Sequence, residues 1–200
     1  MSKGYKGGDF EREVCKLLSK WWTNGERDDI FWRSSQSGGR ATQRAKFGKR
    51  TYGSYGDIAA VDPIGEPLLK LFTIELKRGS SHSSPGDLLD FKAANASHPW
   101  AKCIQQAARS AEDAKSVGWM MICRRDHRRS VVFLESRIFK FLREGNPIAG
   151  RFPMMSFHLT ICKEEESNLG DHYHFVGLPL DTFLTRITPQ KIIMVVKHLT

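Results

Sequence analysis

Two hundred residues, 40% hydrophobic and 26% charged, give room for one domain of ordinary size, or a smaller one with an appendage, and exclude a disordered chain. No apolar run is long enough to span a bilayer and the N-terminus carries no secretory core, so the expectation is a cytoplasmic protein without a membrane partner. The net charge of +9 favours a polyanionic partner, and the widely spaced Cys15, Cys103, Cys123 and Cys162 argue for free, mostly buried thiols rather than a disulfide framework or a zinc ribbon.

Residues 9–22 read as a helix, with Asp9 as N-cap and Phe10, Val14, Leu17, Leu18 and Trp21 at helical spacing. A long connection, 23–56, follows. Between Asp29 and Asp57 it has no acidic residue, while Arg33, Arg40, Arg44, Lys46, Lys49 and Arg50 are basic and Tyr52 and Tyr55 are interspersed. Such an arm can track a phosphate backbone and stack on unpaired bases; a solvated loop is the plainer alternative. Strands are expected over 56–61 and 68–77, joined by a turn at Asp62, Pro63, Ile64 and Gly65. A polar loop, 79–98, holds a short helix near 87–94, and a helix from about 99 to 117 carries the stripe Trp100, Ile104, Ala107, Ala111 and Ala114. Strands 119–123 and 130–134 flank a basic turn, whose Arg124 and Arg125 are a second candidate for DNA contact. From about 137 come a helix, short strands near 155–162 and 174–178, and an apolar C-terminal segment. This order argues for an α/β core, a mixed β-sheet flanked by helices. His172 and His174, with Cys162, read as surface or core residues rather than a metal site.

Within 71–77, period-two alternation puts Phe72, Ile74 and Leu76 on one face and Thr73, Glu75 and Lys77 on the other. A solvated charge pair would explain Glu75 and Lys77 alone. Asp57 adds a second carboxylate at the start of the preceding apolar strand, and an antiparallel pairing through the 62–67 turn would bring it close to Glu75. Two carboxylates beside a lysine suit a hard divalent cation, Mg²⁺ or Mn²⁺, which holds several waters and binds substrate phosphate. Glu11 lines up with Val14, Cys15, Leu18 and Trp22 rather than with the polar face of Asp9, Arg12, Glu13, Lys16 and Lys20. A carboxylate on that flank needs a metal or a cation, and an ion pair with Lys77 or Arg33 is the structural alternative.

The series Gly7-Gly8-Asp9-Phe10-Glu11-Arg12-Glu13, then Arg33, Ser34, Ser37 and Gly38, then Gly56-Asp57, then Glu75-Leu76-Lys77 resembles the archaeal Holliday-junction resolvases and related phage endonucleases of the PD-(D/E)XK superfamily. The resemblance covers about 7–136, leaving 137–200 as a C-terminal extension of a single nuclease domain. Gln106-Ala107-Ala108-Arg109-Ser110-Ala111 on the later helix looks especially like the phage-encoded members. It implies a restriction-endonuclease-like fold, with Glu11, Asp57 and Glu75 as metal or metal-water ligands, Lys77 as catalytic lysine, and supporting roles for Ser37 and Gln106. Helical geometry alone does not choose between Gln105 and Gln106. Gly56 stands where the literal motif has proline. The expected activity is metal-dependent cleavage of DNA phosphodiesters, first of all in branched DNA such as a four-way junction, by a homodimer that cuts opposing strands. The alternatives are a repair or defence nuclease acting on duplex, flap or nicked DNA, and a non-catalytic DNA-binding protein that keeps the fold.

Overall fold

The computed structural model describes residues 3–34, 55–79, 85–88, 98–144, 152–162 and 170–200. Helix α1, Lys3–Trp22, leads to strand β1, Phe31–Arg33, which pairs antiparallel with β2, Ile58–Ala60. A 3-10 turn at Pro63–Gly65 and helix α2, Glu66–Leu71, deliver the chain to β3, Phe72–Arg78. Helix α3, Pro99–Ala114, and strands β4, Gly118–Arg124, and β5, Val131–Glu135, follow. Helix α4, Ser136–Arg143, strands β6, Met155–Cys162, and β7, Gly170–Pro179, and helices α5, Leu180–Arg186, and α6, Pro189–Leu199, complete the order.

Strands β3 to β7 form one five-stranded sheet in the order β3-β4-β5-β7-β6. Only β3 and β4 run parallel, because α3 carries the chain back over the sheet between them; the other neighbours are antiparallel. The architecture is therefore the expected α/β one, a mixed sheet flanked by helices. Strands from beyond residue 137 share this sheet with those before it.

Apolar clusters cover both faces of the sheet around β3, β4 and β5. Phe72, Ile74, Leu76, Met120, Ile122, Val132 and Leu134 pack with Phe10, Val14 and Leu18 of α1 and with Ile192, Val195 and Val196 of α6. On the opposite face Trp119, Met121, Phe133 and Phe175 pack beneath Trp100, Ile104, Ala107 and Ala111 of α3. The small alanines let α3 lie close to the strands. Its start is set by His98, whose Nδ1 accepts from the Trp100 N–H at 3.1 Å, and by Pro99 in the first turn. Its end is set by Lys115 in the left-handed region, φ 56°.

Two local expectations differ from the structure, and a third region, left without an assigned element, gains one. Residues 56–61 and 68–77 do not form a hairpin: 68–71 belong to α2, and β2 takes β1 as its partner. Asp62 starts this helical passage by accepting from the Ile64 N–H at 3.1 Å, and Pro63 and Pro67 occupy permitted first-turn positions, so the turn residues nucleate helix rather than reverse a strand. Asp9 is not the N-cap of α1, which begins earlier; it lies inside the helix, 2.7 Å from Arg12. The C-terminal apolar segment is two helices, the second capped by Thr188, whose Oγ1 accepts from the Lys191 N–H.

Candidate active site

β3 is an edge strand, so its outer backbone groups need partners. The segment before β2 supplies them. The Asp57 N–H donates to Ile74 O at 2.8 Å, and the Leu76 N–H donates to Asp57 Oδ2 at 2.7 Å. One residue thus seals the edge twice and sets its carboxylate beside the middle of β3. The approach is close enough to demand glycine at Gly56: its φ is +75°, and a Cβ there would lie 2.6 Å from Ile74 O. Proline, locked near φ −65°, cannot take this conformation, which accounts for the departure from the literal motif. Ser34 braces the same segment, its Oγ donating to Gly56 O at 2.7 Å and its N–H to Asp57 O at 2.9 Å.

Glu75 stands on the α3-covered face and is only 3% exposed. A carboxylate this deep requires donors. Lys77 Nζ donates to Glu75 Oε2 at 3.0 Å, Gln106 Nε2 to the same oxygen at 3.3 Å, and Ser110 Oγ to Oε1 at 3.2 Å. Lys77 Nζ also reaches Gln106 Oε1 at 3.3 Å, which closes the triangle of Glu75, Lys77 and Gln106. Gln106 rather than Gln105 makes these contacts. Ser110 belongs to the Gln106–Ala111 stretch but has no role assigned from the sequence, although it lies one helical turn beyond Gln106 and shares its face. A cleft of about 290 Å³ on α3, lined by Lys102, Gln105, Gln106, Arg109, Ser110 and Asp113, opens beside these groups.

The electrostatics bind the groups into one unit. Burial, then the nearby charge of Glu75, pushes the Asp57 carboxyl up to about 6, against the pull of the Leu76 N–H and Lys77. Glu11 adds to the rise, which sets it within the field of Asp57. Burial alone would lower the Lys77 ammonium, but Glu75 and Asp57 outweigh it and hold it above its ordinary value, so Lys77 stays cationic. Cys123, the register neighbour of Lys77 on β4, is pushed up by burial and is no nucleophile. Cys15 is likewise pushed up to about 12 by burial.

Glu11 accepts from Arg33 Nε, the second of the two cations considered for it. Gly8 leaves room for that guanidinium, since a Cβ there would be 3.3 Å from it. Arg124 is engaged by Glu13 through both guanidinium nitrogens, at 2.6 and 2.5 Å, and lies over the Phe10 ring. Arg125 is exposed on the 124–129 turn. Ser37, Arg40, Arg44, Lys46, Lys49 and Arg50 lie outside the described residues.

Two carboxylates whose mutual repulsion raises a titration are hard oxygen donors that a divalent cation would relieve. Among the described residues no cluster of three His, Cys, Asp or Glu side chains is arranged for a metal. The mixed α/β sheet flanked by helices, which brings Asp57, Glu75 and Lys77 together at its edge strand, is a restriction-endonuclease-like fold. The comparison by family agrees: the model described as phage putative PDDEXK endonuclease matches residues 2–194, and the chain belongs to that family of endonucleases. No curated protein and no solved structure matches the chain. Among the described residues no helix is long and apolar enough to cross a membrane.

Proposed function

We propose that the protein hydrolyses phosphodiester bonds in DNA with a divalent cation, Mg²⁺ or Mn²⁺, held by Asp57 and Glu75. The observation that carries this reading is the contact of buried Glu75 with Lys77, beside an Asp57 carboxyl raised by burial and by the charge of Glu75. When bound, the ion supplies Lewis acidity towards the scissile phosphoryl group. Lys77 stays cationic and sits at the mouth of the carboxylate pair, where it orients the attacking water and offsets charge developing on the phosphate. Gln106 and Ser110 hold Glu75 in one rotamer, so the carboxylate need not reorganise as the reaction proceeds. Asp57 must be ionised to serve, and protons compete with the cation below about pH 6. Glu11 acts as an outer carboxylate: its charge adds to the field on Asp57, and Arg33 balances it.

The substrate we propose is branched DNA, a four-way junction first, cut by a homodimer whose two sites address opposing strands. The support is the shared order of the motifs from Gly7 to Lys77, together with the basic stretch Arg33, Arg40, Arg44, Lys46, Lys49 and Arg50 that leads to Asp57. A gel comparing labelled junction, flap, duplex and single strand, with and without Mg²⁺, tests this. Cleavage of the junction ahead of the other substrates, only with the cation, is the expected result. Metal-independent cleavage, or none on any DNA, overturns the reading; preference for duplex overturns the substrate class alone.

A further inference from the structure

The cleft beside Glu75 is smaller than a second cavity, of about 500 Å³, within the volume range of small-molecule sites. Cys123, Val131, Phe133, Met155, Phe157 and Gly177 form its apolar lining. It lies on the same sheet face as Glu75 and Lys77: Lys77 has Cys123 as register partner on β4, and Cys123 has Val131 on β5. Cys123 on β4 is one strand spacing from β3, so the lining begins ~5 Å from the catalytic strand, and Val131 and Phe133 on β5 lie ~10 Å from it, about three nucleotide steps of B-form DNA. Gly177 leaves space for the Phe133 ring, since a Cβ there would lie 2.5 Å from it. Phe157 is stacked on Phe175 at 4.9 Å and 12°, which gives β6 and β7 a flat aromatic shelf.

The rim has the opposite character. Arg125, His127, Arg128 and Arg129 line it from the β4–β5 turn, and all are exposed. Among the described residues Arg125, His127 and Arg128 take part in no ion pair, and Arg129 meets Asp181 at 4.0 Å with both side chains mostly exposed. Asp126, the turn's acidic residue, is exposed and does not line the cavity. An electrostatic track for phosphates needs cations but no apolar hollow. A hollow floored by aromatic rings and methionine and rimmed by arginines suits a planar base carrying a phosphate.

We infer that this cavity takes a nucleobase unstacked from the strand that crosses Glu75 and Lys77, with the flanking phosphate on Arg125 and Arg128. The inference rests on the DNA reading above and deepens it. A base inside an intact duplex cannot reach the floor, and extrusion is least costly where pairing is already broken. The pocket therefore favours DNA at a branch, flap or nick over continuous duplex.

The experiment uses the full chain without divalent cation, with 2-aminopurine placed at successive positions across the branch point of a junction and of a flap. Anisotropy of a distant label reports binding in the same samples. We expect a fluorescence rise of about threefold or more at one position, and none along a continuous duplex. Met155→Glu and Arg128→Ala change exposed side chains, and a melting curve confirms that each variant is folded. Both should abolish the rise while weakening binding by less than about tenfold, since most phosphate contacts remain. Binding without a rise at any position, or a rise that survives both variants, overturns the pocket and leaves the nuclease reading standing. Absence of binding overturns both. Deoxyadenosine monophosphate serves as the free-nucleotide arm: its saturable binding, lost in Met155→Glu, with no rise on branched DNA, would overturn a strand-borne base.

Discussion

On one face of β3, Phe72 and Ile74 are fully buried against α1 and the C-terminal helices. On the other, Thr73 and Glu75 are about as deep, at 3% exposure each, yet one of them carries a charge. The difference lies in what covers them. α1 presents Phe10, Val14 and Leu18, which can only exclude water. α3 presents an apolar stripe, Ile104, Ala107 and Ala111, with Gln106 and Ser110 beside it, and these polar residues reach Glu75. Burial on the first face serves stability; burial on the second holds a carboxylate in a low-dielectric setting where its interactions are strong.

The largest expected effect comes from removing the charge on the polar face. Glu75→Gln or Asp57→Asn should lower single-turnover cleavage by roughly 10³-fold, the order seen when one group stabilising a transition state is lost. DNA affinity should hold or rise, because a charge that repels phosphate has gone. Variants that cleave at near wild-type rates would dissolve the contrast between the faces. Asp57→Asn also has a stability signature. The Asp57 carboxyl is raised from its ordinary value to about 6, so between about pH 4 and 6 the folded chain holds more protons than the unfolded one. Stability without metal should therefore fall as pH rises through that window. Asp57→Asn should flatten this fall and melt higher than wild type at pH ~7.5. Melting curves across pH, in chelator, measure both.

Ile74→Ala breaks the apolar face instead. It should cost about 2–5 kcal/mol in denaturant unfolding. Cleavage at saturating DNA, measured well below the melting transition, should change by less than about threefold, since Glu75, Lys77 and Gln106 remain in place. A rate collapse without unfolding would show that the faces are not separable.

Ser110→Ala sharpens the comparison, because it removes one donor to Glu75 and leaves the sheet intact. The expected loss is about tenfold in single-turnover rate with little change in melting, and Ser110→Thr should restore part of it. An unchanged rate would leave the positioning of Glu75 to Lys77 and Gln106. Glu11→Gln is the smallest perturbation. Loss of its half-buried pair with Arg33 should lower stability by about 1 kcal/mol, and weaker repulsion should lower the Asp57 titration. A shift of the acid limb of the pH–rate profile to lower pH reports the second effect; a fixed limb would detach Glu11 from the site.

Much of this was legible in the chain itself. Strand periodicity put Glu75 and Lys77 on one face of β3, and helical periodicity singled out Glu11 on the inner flank of α1. These are local repeats of two and 3.6 residues, set by backbone geometry whatever the surroundings. The α/β order follows from the same kind of pattern, and the buried thiols Cys15 and Cys123 from the wide spacing of the cysteines. How Asp57 reaches Glu75 was decided elsewhere. The turn residues Asp62 and Pro63 are compatible with a reverse turn and with a helix start, and only the need to bury Leu68 and Leu71 makes 66–71 helical. β2 then turns to β1, and Asp57 meets the edge of β3 through one backbone hydrogen bond and one to its carboxylate rather than through a ladder. The choice of Gln106 over Gln105, the recruitment of Ser110 and the demand for glycine at Gly56 likewise depend on how close α3 and the 55–57 segment come to β3. Those approaches join residues 17 to 35 positions apart, and no local period carries them.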